Sequence, residues 1–146
     1  MPEFESGQLG RLEFQPEAVI TFPAGLPAFE TERDFLVVER PGHAPLVFLQ
    51  SLQRPDLCFI TVPVSIVDPE YQILISEDDR LTLRLALEAP LGEDLLGLAM
   101  VTVGARVTAN LAAPVVIHSK SRLAVQAIRG DHRYHWEHPL PEVAPC

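Results

Sequence analysis

Hydrophobic and polar residues alternate with a period of two along most of this chain, mainly in segments of five to eight residues bounded by proline, glycine or aspartate. Such alternation is typical of β-strands that bury one face. It predicts ten strands, at residues 10–15, 18–22, 35–39, 46–50, 57–63, 71–75, 96–103, 107–111, 115–119 and 123–129. Many short strands at regular spacing indicate a barrel or a sandwich. We favour an all-β fold, a small antiparallel or mixed β-barrel-like domain (a pseudobarrel) with one or two short helices, because a closed sheet leaves few edges to protect.

Helix is predicted at only two places. Ser76, Asp78 or Asp79 would cap a short helix running through the leucines of residues 80–87. The same leucines alternate with polar residues, which fits a strand equally well, so both structures stay open for this segment. A turn of helix is also predicted at 31–34, with Thr31 as its N-cap.

Length and composition fit one domain. A chain of 146 residues with 47% hydrophobic residues is long enough to bury a substantial core. No internal repeat and no low-complexity linker divides it. We therefore predict a single domain over residues 1–146, with its core at residues 10–140.

The charge is strongly acidic and unevenly distributed. The formal net charge is −9, and residues 1–104 hold 17 acidic and six basic residues. Residues 105–135 hold five basic residues against Asp131 alone. A protein that binds phosphate backbones needs the opposite balance, so we expect no direct nucleic-acid partner. Proteins with basic surfaces are the partners that this charge favours.

Several features bear on where the protein acts. The first residues are acidic, without the basic start of a signal peptide, and lead into no apolar segment. The apolar runs are too short to span a bilayer. Cys58 lies within an apolar run and Cys146 is the last residue, which makes a poor disulfide pair. We expect a cytoplasmic protein with no membrane partner.

Three histidines near the C-terminus form the pattern H-x2-H-x2-H, at His132, His135 and His138. A catalytic zinc site needs three such ligands and an open position. In an extended chain, however, residues three apart point to opposite sides. We expect surface or packing histidines and no metal or cofactor, and we keep a small β-barrel metal-binding protein or enzyme as the alternative.

Other catalytic patterns are weaker still. The paired carboxylates Asp78–Asp79 and Glu93–Asp94 lie in polar, turn-like segments, where solvated charges are the simpler interpretation. No serine lies in a G-x-S-x-G motif. Cys58 lies among apolar residues, which disfavour a thiolate. We therefore expect a protein that is not an enzyme.

A series of short motifs runs in one order over residues 18–140. They are ITFPAGLPAFE at 20–30, FLQS at 48–51, FITVP at 59–63, VTV at 101–103, TANLAAPVVI at 108–117, and then Gln126, Tyr134 and HPL at 138–140. In this order they resemble the bacterial flagellar assembly factor FliW family. The chain departs from the family pattern at Ala28, where glycine is common, at His118, where asparagine is common, and in a shortened segment after Val103.

The resemblance implies a partner switch and no chemical reaction. Proteins similar to FliW bind CsrA, an RNA-binding translational regulator, and also bind flagellin. Flagellin that accumulates in the cytoplasm occupies FliW, so CsrA is free to repress translation of flagellin mRNA. After flagellin is exported, FliW antagonises CsrA. The acidic composition fits attraction to a basic RNA-binding protein. On its own the protein is expected to be a monomer.

Two surfaces are predicted to bind partners. The first is a loop stiffened by prolines and a glycine, with exposed apolar tips, at Gly25, Leu26, Pro27 and Phe29. The second is a group of acidic residues, Glu70, Glu77, Asp78 and Asp79. A further set of motif residues is assigned a structural role, in turns, backbone caps and barrel closure: Phe48, Gln50, Asn110, Leu111, Pro114 and Gln126.

Overall fold

A computed structural model describes residues 2–86, 92 and 94–140. Within these residues the chain forms short strands, two short α-helices and two 3-10 helical turns, at Pro16–Ala18 and Pro41–His43. The strands are β1 (Glu3–Ser6), β2 (Gly10–Glu13), β3 (Val19–Thr21), β4 (Asp34–Glu39), β5 (Val47–Ser51), β6 (Cys58–Pro63), β7 (Leu95–Val103), β8 (Val107–Ala109), β9 (Val115–His118), β10 (Leu123–Gln126) and β11 (His138–Pro139). The helices are α1 (Val64–Val67) and α2 (Glu77–Thr82).

The main sheet closes into a barrel. Its strand order is β7–β6–β5–β4–β3–β10–β9, and β9 pairs back onto β7 to complete the ring. Neighbours in this ring are antiparallel except β3 and β10, which are parallel. The nine residues of β7 pair with three strands, because one edge pairs with β6 while the other pairs with β9 in its first half and with β8 in its second half. The prediction of an all-β, barrel-like fold with one or two short helices is confirmed.

Alternation within the strands fills the barrel interior. Phe35 on β4 and Leu49 on β5 are fully buried, and Phe22 meets Phe35 edge to face at 5.4 Å between ring centroids. The buried cluster consists of Ile20, Phe22, Leu26, Phe35, Val47, Leu49, Leu98, Val115, Ile117 and Ala124. These apolar side chains come from six barrel strands and from the loop after β3, so their burial holds the ring closed.

The hairpin of β1 and β2 lies outside the ring and is attached to it by polar contacts. Gly7 donates its N–H to the Pro55 carbonyl at 2.7 Å. Ser6 donates its hydroxyl to Oε1 of Gln50, whose side chain is fully buried. Gln50 therefore joins the hairpin to β5 from inside the protein.

The alternation at 71–75 was misleading, because these residues form no strand. Ile73 and Ile75 pack against Val116 and Val125 on the outer face of β9 and β10. Alternation here reflects a segment that covers a sheet face without joining its hydrogen-bond ladder. The prediction of a strand at 71–75 is wrong.

The two helix predictions had different outcomes. At 80–87 only residues 80–82 are helical: α2 begins after its N-cap Ser76 and ends at Thr82. Residues 83–86 form neither helix nor strand, and residue 87 lies outside the described residues. The helical turn predicted at 31–34 is wrong. Thr31 donates its hydroxyl to Glu32, and Asp34 is already the first residue of β4.

Some elements carry too weak a signal to be predicted. β1 contains three polar residues out of four, so it lacks an alternating apolar face. Three of the four residues of α1 are β-branched, and β-branched residues favour strands. Pro63 at its N-cap allows the chain to turn. Among the described residues no helix has the length and apolar character needed to cross a membrane.

Candidate protein-binding groove

The loop after β3 is stiff, as its sequence predicts. Gly25 has a φ of +71°, and a Cβ at this position would lie 2.6 Å from Cα of Glu30. Gly25 donates its N–H to the Phe22 carbonyl at 2.9 Å, and Phe29 donates to Leu26 at 2.8 Å. Only glycine combines this φ with so close an approach of two backbone segments.

The apolar residues of this loop are not exposed as the sequence predicts. Leu26 is 2% exposed and belongs to the barrel core. Phe29 is half-buried and meets Phe59 edge to face at 5.4 Å between ring centroids. The prediction that Leu26 and Phe29 are exposed tips is therefore wrong, because both anchor the loop. Pro27 and Ala28 form its exposed outer turn.

Ala28 provides a test of the conformation of this turn. Its φ is +71°, in the left-handed region that costs a residue with a Cβ about 1–2 kcal/mol. Part of that strain is offset by the greater chain entropy that glycine loses on folding. We expect Ala28→Gly to raise the free energy of unfolding by about 0.5–1 kcal/mol, measured by urea unfolding. Ala105→Gly, at an exposed alanine without positive φ, should bring no gain. Equal effects of the two changes would contradict a strained Ala28.

The acidic residues at 77–79 form the first turn of α2. Ser76 caps the helix by accepting the Asp79 N–H at 3.1 Å. Glu77 and Asp78 are exposed. Asp79 is half-buried, and burial raises the pKa of its carboxyl, aided by the charge of Asp78 and opposed by the Ser76 hydrogen bond. Carboxylates at a helix N-terminus are favoured by the unpaired N–H groups there.

The end of α2 is held against the barrel by a buried histidine. His118 on β9 is 7% exposed, and its Nδ1–H donates to the Leu83 carbonyl at 2.9 Å. Ser121 donates its hydroxyl to the same carbonyl at 3.1 Å. Leu83 itself is fully buried beside Val125. These contacts fix α2 over β10.

The stiff loop and α2 face each other across a groove of about 350 Å³. The residues that line it come from the loop, from α2 and from β10: Ala24, Gly25, Pro27, Glu30, Asp79, Thr82, Ala124, Val125 and Gln126. Two of these residues are acidic and none is basic. The structure thus brings together Gly25, Pro27, Asp79 and Gln126, which the sequence assigned to three separate features.

Glu70 lies apart from this groove. It is exposed in the turn after α1, where it donates its N–H to Asp68 at 2.9 Å. It is not among the residues that line the groove. The four acidic residues of the second predicted surface are therefore not one cluster.

The motif residues Asn110 and Gln126 contact backbone groups between strands. Asn110 accepts the N–H groups of Ala112 and Ala113 at 3.1 and 3.0 Å. Gln126 donates from Nε2 to the Ala113 carbonyl at 3.0 Å. Both amides therefore hold the turn that leads into β9.

The remaining motif residues flank these contacts. Leu111 is fully buried, and its carbonyl accepts the hydroxyl of Tyr71 at 2.7 Å. Pro114 accepts the Ala127 N–H at 2.8 Å. Phe48 is half-buried and meets His43 edge to face at 5.9 Å.

An arginine cluster that the sequence did not reveal fixes the segment after β10. The guanidinium carbon of Arg129 lies 5.0 Å from the ring centroids of both Tyr71 and Tyr134. Arg129 also donates to Asp131 at 2.7 Å, and this hydrogen bond lowers the pKa of the Asp131 carboxyl to about 2. Tyr134 donates to Asp68 at 2.7 Å, which lowers the pKa of Asp68. The cluster needs residues distant in sequence, so no local pattern marks it.

The histidines and the cysteine give no support to the metal or enzyme alternative. His132 and His135 are exposed, and His138 belongs to β11. Across 2–86, 92 and 94–140, no three His, Cys, Asp or Glu side chains are grouped to hold a metal. Burial raises the pKa of the Cys58 thiol, partly opposed by Arg40, so the reactive thiolate is disfavoured.

Comparison with known proteins shows which family the chain belongs to. The model of the FliW protein family matches residues 3–140. The chain belongs to the FliW family. It is 36% identical to the flagellar assembly factor FliW of Syntrophomonas wolfei over 135 residues, 90% of this chain and 84% of that protein. It is 33% identical to the protein of the same name from Syntrophotalea carbinolica, covering 92% of this chain and 94% of that one.

A solved structure agrees with this membership. The crystal structure of a flagellar assembly factor FliW superposes with a TM-score of 0.83 at 27% identity, covering 96% of this chain and 98% of the other. Both of these relatives are named as flagellar assembly factors. The resemblance inferred from the motifs at 18–140 is confirmed.

Proposed function

We propose that this FliW-family chain is a flagellar assembly factor that acts as a protein-binding regulator without catalytic activity. It binds CsrA and antagonises repression of flagellin mRNA, and flagellin sequesters it when flagellin accumulates. Its place of action is the cytoplasm, where flagellin mRNA is translated. Family membership supports the role in flagellar assembly, and the groove supports binding to a basic protein.

The observation that carries the proposal is the acidic groove. Glu30 and Asp79 line it, and Glu77 and Asp78 are exposed beside it on the first turn of α2. A protein that binds RNA presents Lys and Arg to phosphates. A surface of opposite sign attracts that protein and at the same time repels RNA from it.

Binding and competition test this proposal together. The protein is titrated with CsrA and with flagellin from the same organism, each measured alone and as competitor of the other. We expect binding to both and a lower apparent affinity for CsrA when flagellin is present. Binding to neither by the folded protein would refute the partner switch.

Charge reversal on α2 tests the groove in the same assay. We expect Glu77→Lys, Asp78→Lys and Asp79→Lys combined to weaken CsrA binding by about tenfold or more at low ionic strength, because attraction becomes repulsion. The difference from the unmodified protein should shrink as salt is added.

A matched triple variant separates local charge from net charge. Glu5, Glu13 and Glu17 are exposed on the β1–β2 hairpin and the turn after it. Their replacement with lysine changes the net charge equally, and it should leave CsrA affinity within about twofold of the original. Equal losses in the two triple variants would count against the groove, and circular dichroism checks that both are folded.

A further inference from the structure

Strand β10 has one fully paired edge and one edge that is nearly free. It pairs with β9 along its whole length, but with β3 only through Leu123 and Thr21. The direction of its backbone groups follows from two hydrogen bonds. Ala127 donates to Pro114 on the β9 side, and Thr21 donates to the Arg122 carbonyl on the β3 side. Odd-numbered residues of β10 therefore direct their backbone N–H and C=O groups toward β9, and even-numbered residues direct theirs away from it.

The pairing with β3 stops because of Pro23. The next hydrogen bond of the parallel ladder between β3 and β10 would be donated by the backbone N–H of residue 23. Residue 23 is a proline, which has no N–H. The Pro23 carbonyl is also engaged, since Arg33 donates to it at 2.7 Å. Phe22 donates its N–H to the Arg33 carbonyl on the other side of the strand. The chain that follows β3 thus offers no backbone hydrogen-bond partner to β10.

The free edge continues past the end of β10. Arg129 donates its N–H to the Ala112 carbonyl, which continues the pattern of the bond from Ala127 to Pro114 two residues earlier. Ile128 therefore also directs its backbone groups away from β9. In the described part of the chain, no loop residue or side chain hydrogen-bonds to the N–H of Gln126 or Ile128. The Ile128 side chain is 72% exposed. A strand edge with unpaired backbone groups is a template for a further strand.

This edge begins in the groove between the stiff loop and α2. Ala124, Val125 and Gln126 line the groove on the β10 side, and Glu30 and Asp79 are its charged residues. A strand added here would have acidic side chains near one end and Ile128 at the other. No basic side chain lines the groove to favour an acidic occupant.

We propose that the edge of residues 124–128 is a strand-addition site for an extended partner segment that carries Lys or Arg. The segment exchanges backbone hydrogen bonds with Gln126 and Ile128, covers the Ile128 side chain, and places basic side chains against Glu30 and Asp79. The inference builds on the proposed function, because it names how a protein partner of that groove is held.

Amide hydrogen exchange followed by NMR tests the edge directly. In the free protein, the amides of Gln126 and Ile128 should exchange rapidly, while those of Val125 and Ala127, which face β9, should be protected. The probe is a synthetic peptide of alternating lysine and valine, with an alternating glutamate and valine peptide as its control. The lysine peptide should protect Gln126 and Ile128, and the glutamate peptide should not. Slow exchange at both amides in the free protein, or equal protection by both peptides, would overturn the proposal.

One matched pair of variants excludes an indirect effect. Ile128→Lys places a positive charge on the edge, and Ile66→Lys makes the same change at a residue of α1 that is 58% exposed. We expect Ile128→Lys to weaken binding of the lysine peptide at least tenfold and Ile66→Lys to leave it unchanged. Equal affinities in the two variants contradict strand addition.

The same spectra separate this inference from the proposed function. CsrA or flagellin that binds without protecting Gln126 and Ile128 contradicts the docking mode alone. Failure of both proteins to bind, while the lysine peptide still protects the edge, contradicts the named partners alone. No protection by the lysine peptide contradicts strand addition whatever the two proteins do.

Discussion

Replacement of Gln50 with alanine is expected to lower the free energy of unfolding by about 4 kcal/mol, because the buried Ser6 hydroxyl and the Ser51 carbonyl lose their hydrogen bonds to its side chain. Nε2 of Gln50 lies within 2.9–3.3 Å of the carbonyls of Ser51, Arg54, Pro55 and Leu57. Its Oε1 accepts the Ser6 hydroxyl. The amide is fully buried, so its removal opens a cavity as well.

Urea unfolding followed by tryptophan fluorescence or circular dichroism measures this loss. Gln8→Ala is the control, because Gln8 is also a glutamine that donates to a backbone carbonyl, that of Asp56 at 3.0 Å, but it is exposed. We expect the control to change stability by less than about 0.5 kcal/mol. A loss below about 1 kcal/mol for Gln50→Ala would show that the buried network contributes little.

Replacement of Gly25 with alanine is the second large effect, an expected loss of about 3 kcal/mol. The new Cβ would lie 2.6–2.9 Å from three backbone atoms of Glu30, and the φ of +71° adds strain. Backbone atoms cannot rotate away as a side chain can, so the loop must shift. Because Gly25 and Glu30 also line the groove, partner binding should weaken together with stability.

Gly42→Ala is the matched control for this change. A Cβ at Gly42 would meet nothing within 4 Å, and its φ is not in the left-handed region. Thermal unfolding should therefore leave Gly42→Ala within about 0.5 kcal/mol of the unmodified protein or slightly above it. If Gly25→Ala is equally well tolerated, the loop does not require glycine.

Much of the fold follows from the sequence because local alternation decides it. Nine of the ten predicted strand segments contain a strand, and in β5 the core residues Val47 and Leu49 are two positions apart, as the alternation predicts. The exception at 71–75 has the same alternation, since Ile73 and Ile75 cover a sheet face. A residue pattern reports which side chains are buried, and it does not report whether the backbone is paired.

The groove was less accessible to sequence reasoning. The rigidity of the loop follows from its prolines and Gly25, and the acidity of α2 is plain in the sequence. That Asp79 and Gly25 line one groove depends on the pairing of β3 with β10, which no local pattern encodes. Leu26 was misplaced for a related reason, because an apolar residue in a turn is equally consistent with a binding tip and with an anchor in the core.

The parallel contact between Thr21 and Leu123 also sets the point during synthesis at which a molecule can first bind a partner. β3 leaves the ribosome early, but its partner β10 is made only after β4 to β9. Pairings between distant segments are the slow step of such topologies, and the ring stays open until β10 is available. The groove combines residues from the loop after β3, from α2 and from β10. Every nascent chain that ends before β10 therefore lacks the groove, and only molecules that contain β10 are able to compete for a partner.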